Sequence, residues 1–352
     1  MNRKLSRRER VTILVCVNVV TIAGLLYGFE LFLRLTDPAA KLGLDGVYEG
    51  RLYTWGHEVV NNRYGFRERQ FPVPKPKDTF RIVVLGDSFT WGAGLAVEQR
   101  YTNVLEDLLK AKYPQKNTEV LNFGTPGGPT ILQRDILRKY KDLAEPDLII
   151  LGFCLNDPQP RAQDYSAERE RFDRKYGPTL RRIRRGLSFV GLVCMGERLD
   201  KAVSRLAEIV GAIPRWQVAL QRTYEKNSPE WLAFIIALKD IKTMSDEMAL
   251  PPPIFAVLNQ GTSTDRPTNY SHPDEELKLY LQWYHQAETT AAELGFTTCN
   301  YEKEIAAELS HKPIAVNLVD VHPSKELHRV YAEKLAVIVV RYMVGERAKF
   351  GV

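Results

Sequence analysis

The longest apolar run in the chain comes at its start. Val11 to Phe29 is nineteen residues without a charge, closed by Glu30 and Arg34. That length suits a helix crossing the hydrocarbon core of a bilayer. Later apolar runs are shorter. Arg81 to Leu85, Thr118 to Asn122, Asp147 to Phe153, Pro253 to Leu258 and a stretch near Phe296 to Asn300 read as strands. Asp147 to Phe153 is nearly continuously apolar, as a strand covered on both faces is. Between these runs, apolar residues recur at helical spacing: Val97, Tyr101, Val104, Leu105 and Leu108, then Ile131, Ile136, Leu137 and Tyr140. A helix over 275–294 and a last one from Ser324 to about Val344, with Leu327, Val330, Tyr331 and Leu335 on one face, complete the pattern. Asn317 to Val321 is a further short apolar end before His322. Strands alternating with helices predict an α/β fold, a parallel sheet with helices on both faces.

The same pattern divides the chain. Residues 1–34 are expected to be a basic tip and a transmembrane signal anchor. Residues 35–80, punctuated by Pro38, Pro72, Pro74 and Pro76, read as a linker or strap, with turn chemistry at Asn61 to Arg67. Residues 81–345 form the α/β domain, interrupted at 159–250 by a helical insertion. A cleaved signal peptide or a buried core helix are the alternatives for the first segment. A signal peptide would have a shorter apolar region and a small-residue exit. A core helix would not carry Arg3, Lys4, Arg7, Arg8 and Arg10 just ahead of it. Only Arg34 and Lys41 follow the run before residue 50, so the bias of cations leaves the N-terminus cytoplasmic and the rest extracytoplasmic, periplasmic or at the cell surface.

Composition narrows the classes. The 352 residues are 44% apolar, enough for a large core, and the formal charge is +6. That charge is split between the N-terminal tip and a block near 169–185, which suggests membrane contact. No zinc-finger spacing and no RNP-like aromatic signature supports nucleic-acid binding. Cys16, Cys154, Cys194 and Cys299 form no C-x-x-C pair, and no disulfide framework or metal site is expected. Cys154 and Cys299 read as small buried residues. The insertion, with Arg169, Arg171, Arg174, Lys175, Arg181, Arg182, Arg184 and Arg185 beside an apolar Leu187 to Val193, fits a lid, a surface for an anionic glycan, a helix on anionic lipid, or a solvated helical cap.

Candidate chemistry lies at the strand ends. Gly86-Asp87-Ser88 breaks the first strand and leads into a helix, where open α/β sheets place their ligands. Ser88 there is either a nucleophile or a helix N-cap. A nucleophilic serine needs a base. Of six histidines, His57 precedes the core, His285 and His328 lie within helices, His311 is in a polar loop, and His272 has no strand before it. His322 follows a short apolar run containing Asp320 and precedes a helix. Donors for an oxyanion are available from the Ser88 and Gly127 N–H groups and the Asn156 amide.

Gly86-Asp87-Ser88, Asn122-Phe-Gly-Thr-Pro-Gly127, Asn156-Asp157 and Asp320-Val-His322-Pro323 resemble the ordered blocks of the SGNH (GDSL-type) hydrolases, over roughly 81–158 and 253–343. The resemblance implies a flavodoxin-like three-layer α/β/α sandwich and cofactor-free esterase chemistry. Ser88 would be nucleophile, Ser88, Gly127 and Asn156 the oxyanion hole, His322 the base and Asp320 its orienting acid. The Asn61 to Arg67 segment and the anchor resemble membrane-tethered members of the group, often associated with surface glycans. Two departures stand out. The family's usual acid position, three before the histidine, is Val319, so either Asp320 or a backbone carbonyl holds the imidazole. Gly152 and Asn156 are separated by three residues rather than one. The readings are therefore an esterase acting on O-acyl, chiefly O-acetyl, esters of a small molecule or glycan, a glycan O-acyltransferase using the same serine, or a non-catalytic glycan-binding or assembly protein. An α/β-hydrolase is excluded because Gly86-x-Ser88-x-Thr90 lacks the second glycine and follows the first strand of the domain.

Overall fold

The computed structural model describes residues 6–36, 42–160 and 166–344. Arg3, Lys4, Pro38, Lys41 and the expected domain end at 345 lie outside the described residues. Two units are present, one of Met1–Lys41 with Ser166–Arg215 and one of Leu42–Tyr165 with Trp216–Val352.

In the first unit, helix α1 spans Arg7–Thr36. Among the described residues it is the one helix long and apolar enough to cross a membrane. Its packing partner is α6 (Val193–Ile209), against which α5 (Ala167–Phe189) also packs. The α5 start is set by Ser166, whose hydroxyl accepts from the Arg169 N–H.

The second unit begins with an antiparallel meander, β1 (Gly46–Tyr48), β2 (Arg51–Thr54) and β3 (His57–Val59), where the sequence suggested only a strap. The main sheet follows: β4 (Thr79–Gly86), β5 (Asn117–Asn122), β6 (Leu148–Phe153), β7 (Ile254–Val257) and β8 (Thr297–Cys299). All its pairings are parallel, in the order β5-β4-β6-β7-β8. Numbered within the sheet this is 2-1-3-4-5, the flavodoxin-like order, whose switch point lies between its first and third strands. The helices are the one-turn α2 (Ser88–Trp91), α3 (Tyr101–Lys112), α4 (Thr130–Ala144), α7 (Trp216–Thr223), α8 (Pro229–Glu247), α9 (Glu275–Glu293), α10 (Glu302–Glu308) and α11 (Lys325–Met343).

The alternation of β4 builds both outer layers. Ile82 and Val84 join a core with Tyr101, Leu105 and Leu109 of α3 and Leu327, Tyr331 and Leu335 of α11. Val83 and Leu85 join the opposite core with Leu137 of α4, Phe234 and Leu238 of α8 and Tyr284 of α9. Each of these aliphatic side chains stabilises the fold by about 1.5–3 kcal/mol on burial.

Three expectations change. The insertion expected at 159–250 is narrower as a separate body, because α7 and α8 belong to the sheet-bearing unit. The apolar face of α8, with Trp231, Phe234, Leu238 and Ile241, covers the sheet. The helix expected to start near Val97 starts at Tyr101, and Val97 sits in a short, exposed 3-10 turn. The stretch before His322 does not extend the main sheet. Ala315–Asn317 (β9) and Asp320–Pro323 (β10) pair antiparallel as a separate ribbon.

Candidate active site

Ser88 is placed by Asp87 and two glycines. Asp87 is the N-cap of α2, its Oδ1 accepting from the Phe89 N–H at 2.9 Å. Ser88 is therefore the first residue of the helix, not its cap, and its own N–H has no intrahelical acceptor. Gly86 permits the tight exit from β4. A Cβ there would lie 2.0 Å from Thr90 Oγ1 and 2.9 Å from the Gly152 carbonyl. A Cβ on Gly152 would meet the same Thr90 oxygen at 2.4 Å. Gly152 is thus a packing residue of β6.

The β9–β10 ribbon brings the histidine. Asp320 pairs with Asn317 and Pro323 with Ala315, with an irregular register between them. That irregularity folds Asp320 back onto His322, whose backbone N–H donates to Asp320 Oδ1 at 3.0 Å and whose Nδ1–H donates to the same oxygen at 2.5 Å. A two-residue spacing between acid and histidine is satisfied in this way. The other ring nitrogen, Nε2, lies 2.9 Å from Ser88 Oγ. The Ser88 hydroxyl proton faces two acceptors, Nε2 and the more distant Asp87 Oδ2 at 3.1 Å. The Phe89 ring packs edge-on to the imidazole at 5.5 Å.

The electrostatics follow from burial and pairing. Burial would lower the His322 pKa, but the bond and charge of Asp320, with the charges of Asp87 and Asp45, raise it above its ordinary value. Burial would raise Asp320, yet the His322 bond and charge, its backbone N–H and the Trp55 indole bring it down to about 2. His328 is the contrast. Buried, close to the Arg100 charge, and accepting the Tyr101 N–H at Nδ1, it is pushed down to about 3 and stays neutral.

Gly127 lies in the turn between β5 and α4 at φ +65°, and its N–H has no acceptor among the described residues. Asn156 follows β6. Its Oδ1 is 2.9 Å from the Cys154 thiol, which is also 2.9 Å from Asp87 Oδ2, and its amide nitrogen is 3.5 Å from that carboxylate. Burial, then the Asp157 and Asp87 charges, push the Cys154 thiol up. Burial and the Asp87 charge push Asp157 up too. Asp87, Cys154 and Asp157 bring ligand-type atoms within 4.8 Å of one another. With Cys154 and Asp157 both pushed up by burial, and the carboxyl oxygens of Asp87 and Asp157 accepting from the Phe89, Cys154 and Gln133 N–H groups, the cluster fits a hydrogen-bonded brace under Ser88 rather than a metal cage.

The strap contributes residues that pattern reading missed. Trp55, at the β2–β3 turn, donates its indole N–H to Asp320 Oδ2 at 2.7 Å. Thr54 Oγ1 accepts from Gly94 N at 2.7 Å. Arg67, fully buried, donates to the carbonyls of Gly92 at 2.9 Å and Leu95 at 2.7 Å, which fixes the loop after Ser88. Phe66 stacks on Phe123 with centroids 4.3 Å apart. No short-range signal could have revealed the Trp55 contact. The buried arginine had one, an Asn-Arg-Tyr-Gly-Phe-Arg turn too ordered in composition for a linker.

The parallel sheet, its strand order and a serine–histidine–carboxylate array at the strand ends define an ester-hydrolysing α/β/α enzyme class. A model of the GDSL-like lipase/acylhydrolase family matches residues 84–330, and the chain belongs to that family. No curated protein matches it significantly. Among solved structures it is similar to LAE5, an alpha/beta hydrolase from the metagenome of Lake Arreo, Spain, at 13% identity over 73% of this chain and 94% of that one, with a TM-score of 0.43. A variant of Axe2, an acetyl xylan esterase from Geobacillus stearothermophilus, is 15% identical over 77% and 97%, with a TM-score of 0.40. The esterase EstA from a Pseudoalteromonas species is 12% identical over 75% and 99%, with a TM-score of 0.39. The family assignment rests on the sequence model, not on these distant likenesses.

Proposed function

We propose that this esterase is a membrane-anchored serine enzyme that hydrolyses O-acyl esters, chiefly O-acetyl groups on extracytoplasmic glycans. The observation that carries the serine mechanism is the line from Ser88 Oγ through the His322 ring to Asp320, 2.9 Å and 2.5 Å long. His322 Nε2 takes the Ser88 proton as Oγ attacks the ester carbonyl. The resulting oxyanion accepts from the Ser88 and Gly127 N–H groups and the Asn156 amide. His322 then protonates the leaving alcohol, an acyl-Ser88 ester remains, and a water deprotonated by His322 releases the acid and restores the serine. Asp320 keeps the Nδ1–H tautomer in place and stabilises the imidazolium.

Ser88 is only 9% exposed and lies beside His322 and Phe89, which favours a compact acyl group. The anchor reading is supported by α1, its apolar surface exposed along its length, and by Arg7, Arg8 and Arg10 at its start. The glycan rests on the resemblance of the anchor and strap to surface-glycan members of the group.

The test is labelling of the purified full-length protein with a fluorophosphonate, followed by acetate release from acetylated glycans with and without an acceptor glycan. Labelling is expected in the parent and absent in Ser88→Ala. Labelling that persists in Ser88→Ala removes the serine assignment. Acetate retained on an added acceptor would make the enzyme a transferase.

A further inference from the structure

The turn between α5 and α6 is fastened to the outer end of α1. Tyr27 Oη donates to the Val190 carbonyl at 2.6 Å, and Arg34 Nη2 donates to the Gly191 carbonyl at 2.8 Å. The Glu30 carboxylate accepts from the Cys194 and Met195 N–H groups, each at 3.0 Å. Helix α6 has no side-chain cap of its own, so Glu30 supplies it from another helix. Glu30 is 3% exposed and bonded to Arg34 at 2.8 Å. These contacts hold the turn level with residues 27–34 of α1, where the uncharged run ends.

At that level the turn is apolar and bare. Phe189 is 92% exposed, Val190 47% and Val193 39%. Beside them α1 exposes Tyr27, Phe29, Leu31 and Phe32. Tyr27 joins the two, through its bond to the Val190 carbonyl. Along α5, Arg181, Arg182 and Arg185 are exposed, and none is paired with an acidic side chain among the described residues. At the helical rise, Arg185 lies about 6 Å and Arg181 about 12 Å along α5 from Phe189.

We infer that this turn is a second membrane contact, in which Phe189 and Val190 enter the boundary between headgroups and acyl chains beside the end of α1, and Arg181, Arg182 and Arg185 meet anionic headgroups. The inference rests on α1 spanning the bilayer. An apolar tip one turn from a row of cations is what an interfacial element requires, since the tip leaves water while the guanidinium groups stay among phosphates. A lipid surface is the occupant because the bare turn is fastened to the end of a helix whose apolar residues from Val11 to Phe32 are mostly exposed.

Environment-sensitive fluorophores in proteoliposomes test this on the full-length protein. In a Cys16→Ser, Cys194→Ser background, with Cys154 and Cys299 buried, one fluorophore is placed at Ser188→Cys, which retains Phe189, and in a second protein at Val20→Cys within α1. Vesicles are of phosphatidylcholine, with or without phosphatidylglycerol, and carry nitroxide lipids labelled either high on the acyl chain or near its end. The Ser188 probe is expected to shift to the blue and to be quenched about twofold by the shallow nitroxide, more strongly with phosphatidylglycerol. Phe189→Asp abolishes the quenching, and Arg181→Gln, Arg182→Gln and Arg185→Gln together abolish the phosphatidylglycerol increment. A solvent-like Ser188 probe in vesicles where the Val20 probe is quenched by the deep nitroxide overturns the inference and leaves the span standing. A Val20 probe untouched by either nitroxide overturns the span itself. Equal Ser188 quenching with and without phosphatidylglycerol overturns the role of the arginines.

Discussion

The indole N–H of Trp55 donates to Asp320 Oδ2 at 2.7 Å, joining side chains 265 positions apart in the chain. Both oxygens of the acid behind His322 are thus occupied, one by His322 and one by the strap. Trp55 touches the acid, so it acts as a positioning residue for the proposed mechanism. Trp55→Phe keeps the ring and removes the donor. A hydrogen bond to a charged group is worth about 1.5–3 kcal/mol, so kcat is expected to fall about tenfold or more. KM stays near the parent value, and steady-state kinetics on a soluble acetyl ester checks the split. A rise in KM with kcat unchanged would place Trp55 in substrate binding instead.

The pH dependence has a definite sign. In the proposed mechanism His322 works as a base only when neutral, and its pKa is raised above 6.5, chiefly through Asp320 acting against burial. Activity is therefore lost as pH falls through a midpoint above 6.5. Asp320→Asn should lower kcat/KM by about 10³-fold or more and move that midpoint down. Stability runs the other way for the same histidine. The charged pair contributes fully below the unfolded histidine value and is lost as pH rises through the raised one. The Asp320 contribution is present above 3.8 and is lost as pH falls towards about 2. A kcat/KM profile of parent and variant, with thermal melts across the same range, measures both.

In the proposed mechanism Asn156 donates to a charge that exists only during the reaction. Asn156→Ala is expected to reduce kcat by about 10²–10³-fold with a small change in KM. Fluorophosphonate labelling should slow but not vanish, because Ser88 and His322 remain in place. Unchanged kcat would assign the amide to the Cys154–Asp87 brace alone.

Gly86→Ala probes the turn that presents Ser88. The new Cβ would fall 2.0 Å from Thr90 Oγ1, which is itself bonded to the Tyr101 hydroxyl at 2.9 Å. Overpacking at a buried site of this kind costs about 3 kcal/mol. A lowered melting temperature is expected, and Gly86→Ala combined with Thr90→Ser should remain destabilised because the hydroxyl still occupies the space. Full recovery in the pair would shift the clash to the threonine methyl.

Much of the α/β unit was legible because β4, β6 and β7 are apolar runs and helices such as α3 and α4 carry one apolar face. Ser88, Gly127, Asn156 and His322 could be singled out as candidates because each lies beside such a run in a local block. Residues 46–59 were not legible, since three strands of three or four residues with mostly exposed or half-buried side chains leave little periodic signal. The inner edge of the insertion was misjudged because α8 carries both exposed and buried apolar residues, and only its packing on the sheet assigns it to the core.

By itself the sequence determined the parallel α/β architecture, the apolar N-terminal helix and the residues at the strand ends. These depend on local hydrophobic period and turn chemistry, which are written within a few residues of each other. Only the tertiary structure decided that Asp320 reaches His322 from two residues away, that Trp55 and Arg67 come from the strap to brace the site, and that Glu30 of α1 caps α6. Each of these depends on where a ribbon, a turn or a helix end lies after the chain has closed on itself, and no local period encodes that distance.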